Sequence, residues 1–185
     1  KVGAGRYSDE LSLPKNEALR DQPMLPEMAR VALSSLSAHS PGGFYLMIEG
    51  ASIDKRAHDV DAERTIWDVI EFDQAVAVAL EFVRKANTDS DPDNDTLLVV
   101  TGDHETGYLS GPGSDPLWTT VVSEGAGHMP LAEFHSGEHT NSLVPLFAKG
   151  NGSDLLKAAA DQLDPVRGRY LDNSELGKVL NELLR

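Results

Sequence analysis

Leu97-Leu98-Val99-Val100-Thr101-Gly102-Asp103-His104 sets four branched aliphatic residues, then a Thr-Gly step, before a carboxylate and an imidazole. A short continuous apolar run bounded by polar residues reads as a strand buried on both faces. The same pattern occurs upstream, where Phe44-Tyr45-Leu46-Met47-Ile48 ends in Glu49-Gly50. Between the two runs, Ile66, Val69, Ile70, Val76, Ala77, Leu80 and Val83 recur at three- and four-residue steps. That spacing predicts a long helix from Asp61 to about Lys85, with Asp61 as its N-cap. A third strand is expected over Leu143–Ala148, at a sheet edge because Pro145 interrupts it. Further helices are expected over Pro26–Leu36, Ser153–Leu163 and Ser174–Leu184, the first presenting Met28, Val31, Ala32 and Ser35 on one face. Strand, helix, strand, then strand and helix is an α/β order. It predicts part of a largely parallel central sheet flanked by helices, incomplete in this chain.

The connections are polar. Residues 1–23 read as an irregular arm broken by Pro14 and Pro23, and Ser40-Pro41-Gly42-Gly43 as a loop. Residues 87–95 form an acidic loop. Residues 105–136, rich in Gly, Pro and Ser with no clear period, read as a long surface excursion of the kind that serves as a lid or an interface. The chain of 185 residues is taken as a portion of a single domain. It does not open on Met and is read as a fragment. Lys1-Val2-Gly3-Ala4-Gly5 has no apolar core of a signal peptide, and no run of about 18 apolar residues indicates a membrane span.

With 16 basic and 30 acidic residues the formal charge is −14, which repels nucleic acid and anionic membranes alike. It would also repel a phosphate ester, so an anionic substrate needs local cations for its capture. There are no cysteines, which excludes disulfides and zinc–thiolate sites and leaves His and carboxylates as the strong metal ligands.

Those residues fall where an α/β sheet presents ligands, just past strand ends. Asp54 and His58 are four apart, on one face of a helical turn. Asp103 and His104 are adjacent, so they share a cation only in a turn beyond the strand. His139 sits in the polar loop Gly137-Glu138-His139-Thr140 before the third strand. Zinc takes imidazole nitrogen and carboxylate oxygen, while Glu49 is a hard-oxygen donor suited to magnesium. Two close metals can clamp the attacking and leaving oxygens of a phosphoryl transfer.

The wording around these residues is more specific than the spacing. Glu49-Gly50-Ala51-Ser52-Ile53-Asp54-Lys55-Arg56-Ala57-His58 resembles the metal-binding segment of alkaline phosphatases. Thr101-Gly102-Asp103-His104-Glu105-Thr106-Gly107 is similar to that family's second metal segment, with Gly102 where an alanine is more familiar. His139-Thr140, after Ser136-Gly137, resembles its third. The resemblance runs from about Gly43 to Gly150 and is weaker over Asp21–Ser37. It implies an alkaline phosphatase-like α/β/α sandwich, of which this chain is the C-terminal half. It implies two zinc ions and one magnesium: Asp54, His58 and His139 on the first zinc, Asp103 and His104 on the second, Glu49 on the magnesium, and Lys55 near the phosphate. The implied activity is hydrolysis of phosphate monoesters through a phosphoserine, in a homodimer exported to the periplasm or the exterior. The family's nucleophile lies in an Asp-Ser-Ala or similar motif. The only Asp-Ser here, Asp89-Ser90, stands in the acidic loop and does not fit, so the nucleophile is expected from a partner N-terminal half.

Bland readings stand beside these. Asp54 with His58 can be a surface ion pair, Asp103-His104 a polar strand end, His139 a solvated loop histidine, and Glu49 a carboxylate paired with arginine. His39, His128 and His135 lack motif support and read as surface residues. Asp89, Asp91, Asp93 and Asp95 do not form an EF-hand, since the glycine is missing and Val100 stands at the twelfth position. Trp67 reads as core. The rival functions are a related metal-dependent phosphodiesterase or phosphomutase, and a catalytically silent metal-binding fragment.

Overall fold

A computed structural model describes residues 23–87, 96–114 and 117–184. The arm at 1–22 and the acidic loop with Asp89-Ser90 lie outside the described residues. By internal packing the chain divides into two units, one from 1–78 and 105–140, the other from 79–104 and 141–185.

The first unit contains helices α1 (Leu25–His39) and α2 (Ser52–His58), the first turns of α3 (Ala62–Ala86), and strands β2 (Glu105–Thr106) and β3 (His139–Thr140). The start of α1 is held from two sides. The Glu27 carboxylate accepts the Met24 N–H at 2.8 Å, and Glu71 on α3 accepts the Leu25 N–H at 2.9 Å. Helix N-termini leave such donors unpaired, and a buried carboxylate is a strong partner for one. The expected helical face is not the buried one. Ala29 and Leu33 are buried, whereas Met28 and Val31 are exposed. Both stripes are apolar at i, i+3 and i+4 steps, so periodicity alone does not choose between them.

Helix α3 matches its expected span, and Asp61 caps it by accepting the Arg64 N–H at 3.0 Å. Of the expected stripe Val83 is buried, but the rest of the buried face differs. Thr65, Asp68, Glu71 and Ala75 are buried, while Val69 and Ile70 face solvent. The polar members are tolerated because each meets a partner: the Thr65 hydroxyl donates to the Asp61 carbonyl at 2.7 Å, and the two carboxylates meet groups on other elements. Asp68 lies 3.9 Å from the Arg56 guanidinium of α2, and Glu71 caps α1. Trp67 is half-buried.

The run Phe44–Ile48 is extended but joins no ladder among the described residues. Phe44, Leu46 and Ile48 are half-buried, while Tyr45 and Met47 are exposed. The expected buried strand is therefore not formed among the described residues, although burial alternates along the run as it does when a single face is covered. Gly50 follows, and a side chain there would press on Phe72 of α3 at 2.9 Å.

In the second unit, β1 (Leu98–Thr101) pairs with β4 (Leu146–Lys149), with Val99 opposite Ala148. Helix α4 (Ser153–Ala159) packs on β4 and on α5 (Asn173–Leu183). Leu156 and Val179 are buried in this unit. Strand β1 is half-buried instead of fully so. Pro145 stands just before β4, where its missing N–H costs no ladder bond. The expected helix to Leu163 ends at Ala159. Residues Gln162–Asp164 (β5) and Gly168–Tyr170 (β6) form a hairpin instead. Asp164 closes its turn by accepting the Val166 and Arg167 N–H groups, which hold its carboxyl below the usual range. Gly168, at φ +88°, provides the left-handed residue.

The α/β class holds, but every ladder among the described residues is antiparallel and two-stranded. The order strand–helix–strand does not by itself make strands neighbours. Here β1 finds its partner in β4 and not in the run at 44–48. The excursion at 105–136 is tied at its base by β2–β3 and inside by bridges Ser110–Glu133 and Val122–Leu131.

Candidate metal centre

Helix α2 carries Asp54 in its first turn and His58 as its last residue. Its end is a Schellman turn. The Asp61 N–H reaches the Arg56 carbonyl at 2.9 Å, and the Val60 N–H reaches Ala57 at 3.0 Å. Val60 occupies the left-handed position at φ 57°, where glycine is usual and a β-branched residue is strained. Buried Ala57 and the Arg56–Asp68 pair fix the opposite face of α2 against the core of this unit.

His139 arrives on β3, paired across the ladder with Thr106 of β2. Ladder and excursion base are braced together. The Glu105 carboxylate accepts the Thr140 hydroxyl at 2.5 Å and the Leu109 N–H at 3.1 Å. Gly107, at φ +84°, donates to the Glu138 carbonyl, and its own carbonyl accepts from His135 and Ser136. A side chain at Gly107 would strike Phe134, so the turn requires glycine.

Three donor atoms converge. Asp54 Oδ1 lies 3.4 Å from His58 Nε2 and 3.3 Å from His139 Nε2, and the two Nε2 atoms are 2.9 Å apart. A tetrahedral zinc site with bonds of about 2.0–2.1 Å has ligand–ligand edges of about 3.3–3.4 Å. Two of the three edges match, and the third, between the two imidazoles, is at hydrogen-bond distance. The Nδ1–H of His58 donates to the Gly137 carbonyl at 2.5 Å, which leaves Nε2 as the ring's lone-pair face toward the triad. Metal-ligating histidines are held in just this way. Side-chain exposures of 37–47 % leave one side of the group open to a ligand from solvent. The residues therefore fit zinc, with three protein donors and room for a fourth.

Of the other expected residues, Asp103 and His104 belong to the second unit and Glu49 and Lys55 to the first. Asp103 and His104 lie past the end of β1, in the bend the sequence required, with His104 Nε2 3.4 Å from Asp103 Oδ2. Glu49 is exposed at the end of its extended run, and Lys55 is exposed on α2 beside Asp54. His39, His128 and His135 are exposed, as expected. His135 nevertheless has a partner, the hydroxyl of the fully buried Ser110 at 2.8 Å. Sequence reasoning missed Thr106, Glu105 and Gly137. All three lay inside the segments singled out, and their place directly beside ligand positions was the available signal.

The family model described as alkaline phosphatase matches residues 10–131, about two thirds of the chain. This chain belongs to the alkaline phosphatase family. The match lies toward the chain's N-terminal side. It reaches into the arm expected to carry little and stops short of His139. The chain is 35% identical over 153 residues to streptomycin-6-phosphate phosphatase of Streptomyces griseus, covering 75% of this chain and 32% of that protein. It is 34% identical over 163 residues to alkaline phosphatase H of Pseudomonas aeruginosa, covering 82% and 31%. Among solved structures, alkaline phosphatase from the Antarctic bacterium TAB5 aligns at a TM-score of 0.53 and 26% identity, over 73% of this chain and 36% of that one. A mutant of the same enzyme, with Mg bound in its M3 site, aligns at 0.54 and 30% identity, over 70% and 35%. The chain thus spans about a third of the length of the curated relatives it matches, less than the expected half.

Proposed function

We propose that Asp54, His58 and His139 form a catalytic zinc site in a phosphate monoesterase of which this chain is the C-terminal part. The carrying observation is the convergence of Asp54 Oδ1 and two histidine Nε2 atoms at near-tetrahedral spacing, with His58 locked by Gly137. Zinc bound there would supply Lewis acidity to a phosphate oxygen and lower the pKa of water. The residues themselves orient that charge. Asp54 would offset the zinc charge, the two imidazoles would complete a set of three protein donors, and the open side would admit substrate. With a formal charge of −14, the chain needs that local cation to hold a phosphate dianion.

The remaining assignments extend this reading. Asp103 and His104 serve a second zinc, Glu49 a magnesium, and Lys55 neighbours the phosphate. The serine nucleophile comes from outside this chain, as every serine here lacks the motif. Exposed Met47 and Phe147 support a larger structure that covers them. Homodimer formation and export belong to the same reading. A relative named for a phosphomonoester, streptomycin 6-phosphate, favours monoesters over diesters as substrates.

The test is metal content and hydrolysis in the intact protein. Asp54→Ala and His139→Ala should each lose about one zinc and lose monoester hydrolysis by 10²-fold or more, on the order expected for losing a charge-stabilising group. Retention of the full zinc complement by both variants would overturn the assignment. Faster turnover of a phosphodiester than of a monoester would favour the phosphodiesterase reading.

A further inference from the structure

The segment Glu105-Thr106-Gly107 directly follows Asp103-His104, and the metal assignments leave it without a role. We propose that Thr106 is a positioning residue that fixes the ligand oxygen of Asp54, and so sets how tightly the triad holds zinc. The inference rests on the zinc reading of that triad.

Three observations carry it. The Thr106 hydroxyl donates to Asp54 Oδ1 at 2.7 Å. That oxygen is the one facing both imidazoles. Thr106 is also the residue opposite His139 in the β2–β3 ladder. One side chain therefore joins two ligands that are 85 positions apart in sequence (139 − 54 = 85) and arrive on different elements.

The chemistry follows from the two lone pairs of a carboxylate oxygen. A cation takes one and a hydroxyl donor the other, so the hydrogen bond and the metal do not compete. Without the donor, Asp54 loses one restraint on its side-chain torsions and gives up more rotamer entropy each time it binds. Threonine is suited to the place for a second reason. Its branched Cβ limits the hydroxyl to few rotamers and favours β2, the strand paired with the one that carries His139. The backbone beneath is fixed as well, by the Glu105–Thr140 bond on one side and the Gly107 turn on the other.

The test uses the intact protein with zinc and then with cobalt in its place. Thr106→Val keeps the branched shape and removes the hydroxyl; Thr106→Ser keeps the hydroxyl. Thr106→Val should weaken the first-site zinc dissociation constant by about 10–100-fold, the range for losing such an outer partner. It should also shift the visible cobalt spectrum. Thr106→Ser should return both to near the parent values. The melting temperature without metal should change little in either variant, while the rise on adding zinc shrinks in Thr106→Val. Unchanged zinc affinity in Thr106→Val, or a loss that Thr106→Ser does not repair, overturns the inference. Asp54→Ala serves as the reference arm. If it keeps all its zinc, the underlying site reading fails, and that outcome is distinct from failure of the Thr106 role.

Discussion

The Nδ1–H of His58 donates to the main-chain carbonyl of Gly137 at 2.5 Å. A loop carbonyl two residues before His139 thereby chooses the tautomer of a ring on α2. Approach this close is possible because residue 137 has no side chain. A Cβ there would lie 2.9 Å from the His58 carbonyl. Gly137→Ala should push the loop away from α2 and displace the carbonyl that holds the ring. Zinc affinity should fall by about tenfold or more. A zinc titration of the variant checks this, and an unchanged affinity would mean that the carbonyl does not orient His58.

Val60 closes α2 two residues beyond His58 at φ 57°, with half of its surface exposed. A β-branched residue in the left-handed region costs on the order of 1–3 kcal/mol, partly offset in a glycine variant by the added freedom of the unfolded chain. Val60→Gly should therefore stabilise the protein by about 1 kcal/mol, read as a higher urea midpoint at unchanged slope. A lower midpoint would show that packing of the isopropyl group outweighs the strain.

The Arg56–Asp68 contact joins α2 to α3 with the Asp68 side chain only 2 % exposed. Breaking a buried ion pair costs about 3–5 kcal/mol, and because Asp59 also lies 3.6 Å from Arg56 the loss here falls toward the lower end. Asp68→Ala should show that loss in denaturant unfolding. The double variant Arg56→Met with Asp68→Leu should recover most of it, because both desolvation penalties vanish together. Equal losses in the single and double variants would assign the cost to packing instead.

The legibility of this chain in its sequence varied with the range of the interaction involved. The span of α3 and its Asp61 cap are local, and both were readable. The sequence singled out Asp54 and His58, which share one short segment of distinctive wording, and His139, which sits in another. The buried stripes of α1 and α3 were not, since Glu71 and Asp68 are buried only by virtue of partners elsewhere in the chain. Antiparallel pairing of β1 with β4 was likewise hidden. An apolar run states that a strand exists, but its neighbour is set by long-range closure. The β5–β6 hairpin was missed for another reason. Leu155, Leu156, Leu163 and their neighbours fit a helical period, and the turn residues Pro165 and Gly168 lie just beyond the point where that period was extended.

Asp172 caps α5, and its pH response can be predicted with a sign. Its carboxylate accepts the Ser174 N–H at 2.9 Å, while the Glu175 carboxylate accepts the Asp172 N–H at 2.7 Å. Hydrogen bonds from Ser174, first from its side chain and then from its backbone, hold the Asp172 carboxyl below its ordinary range. A depressed acid stabilises the folded state wherever the unfolded group is ionised. That contribution is complete above the ordinary aspartate range near 4 and disappears as pH falls through the lower folded value. The first turn of α5 should therefore fray at acid pH and stay intact at neutral pH. Amide exchange at Ser174 and Glu175, followed from neutral pH into the acid range and corrected for intrinsic rates, reads this directly. Asp172→Asn keeps an N-cap acceptor but cannot titrate, so its protection should be flat over the same window. If Asp172→Asn loses protection at acid pH in step with the parent, the acid response does not belong to Asp172.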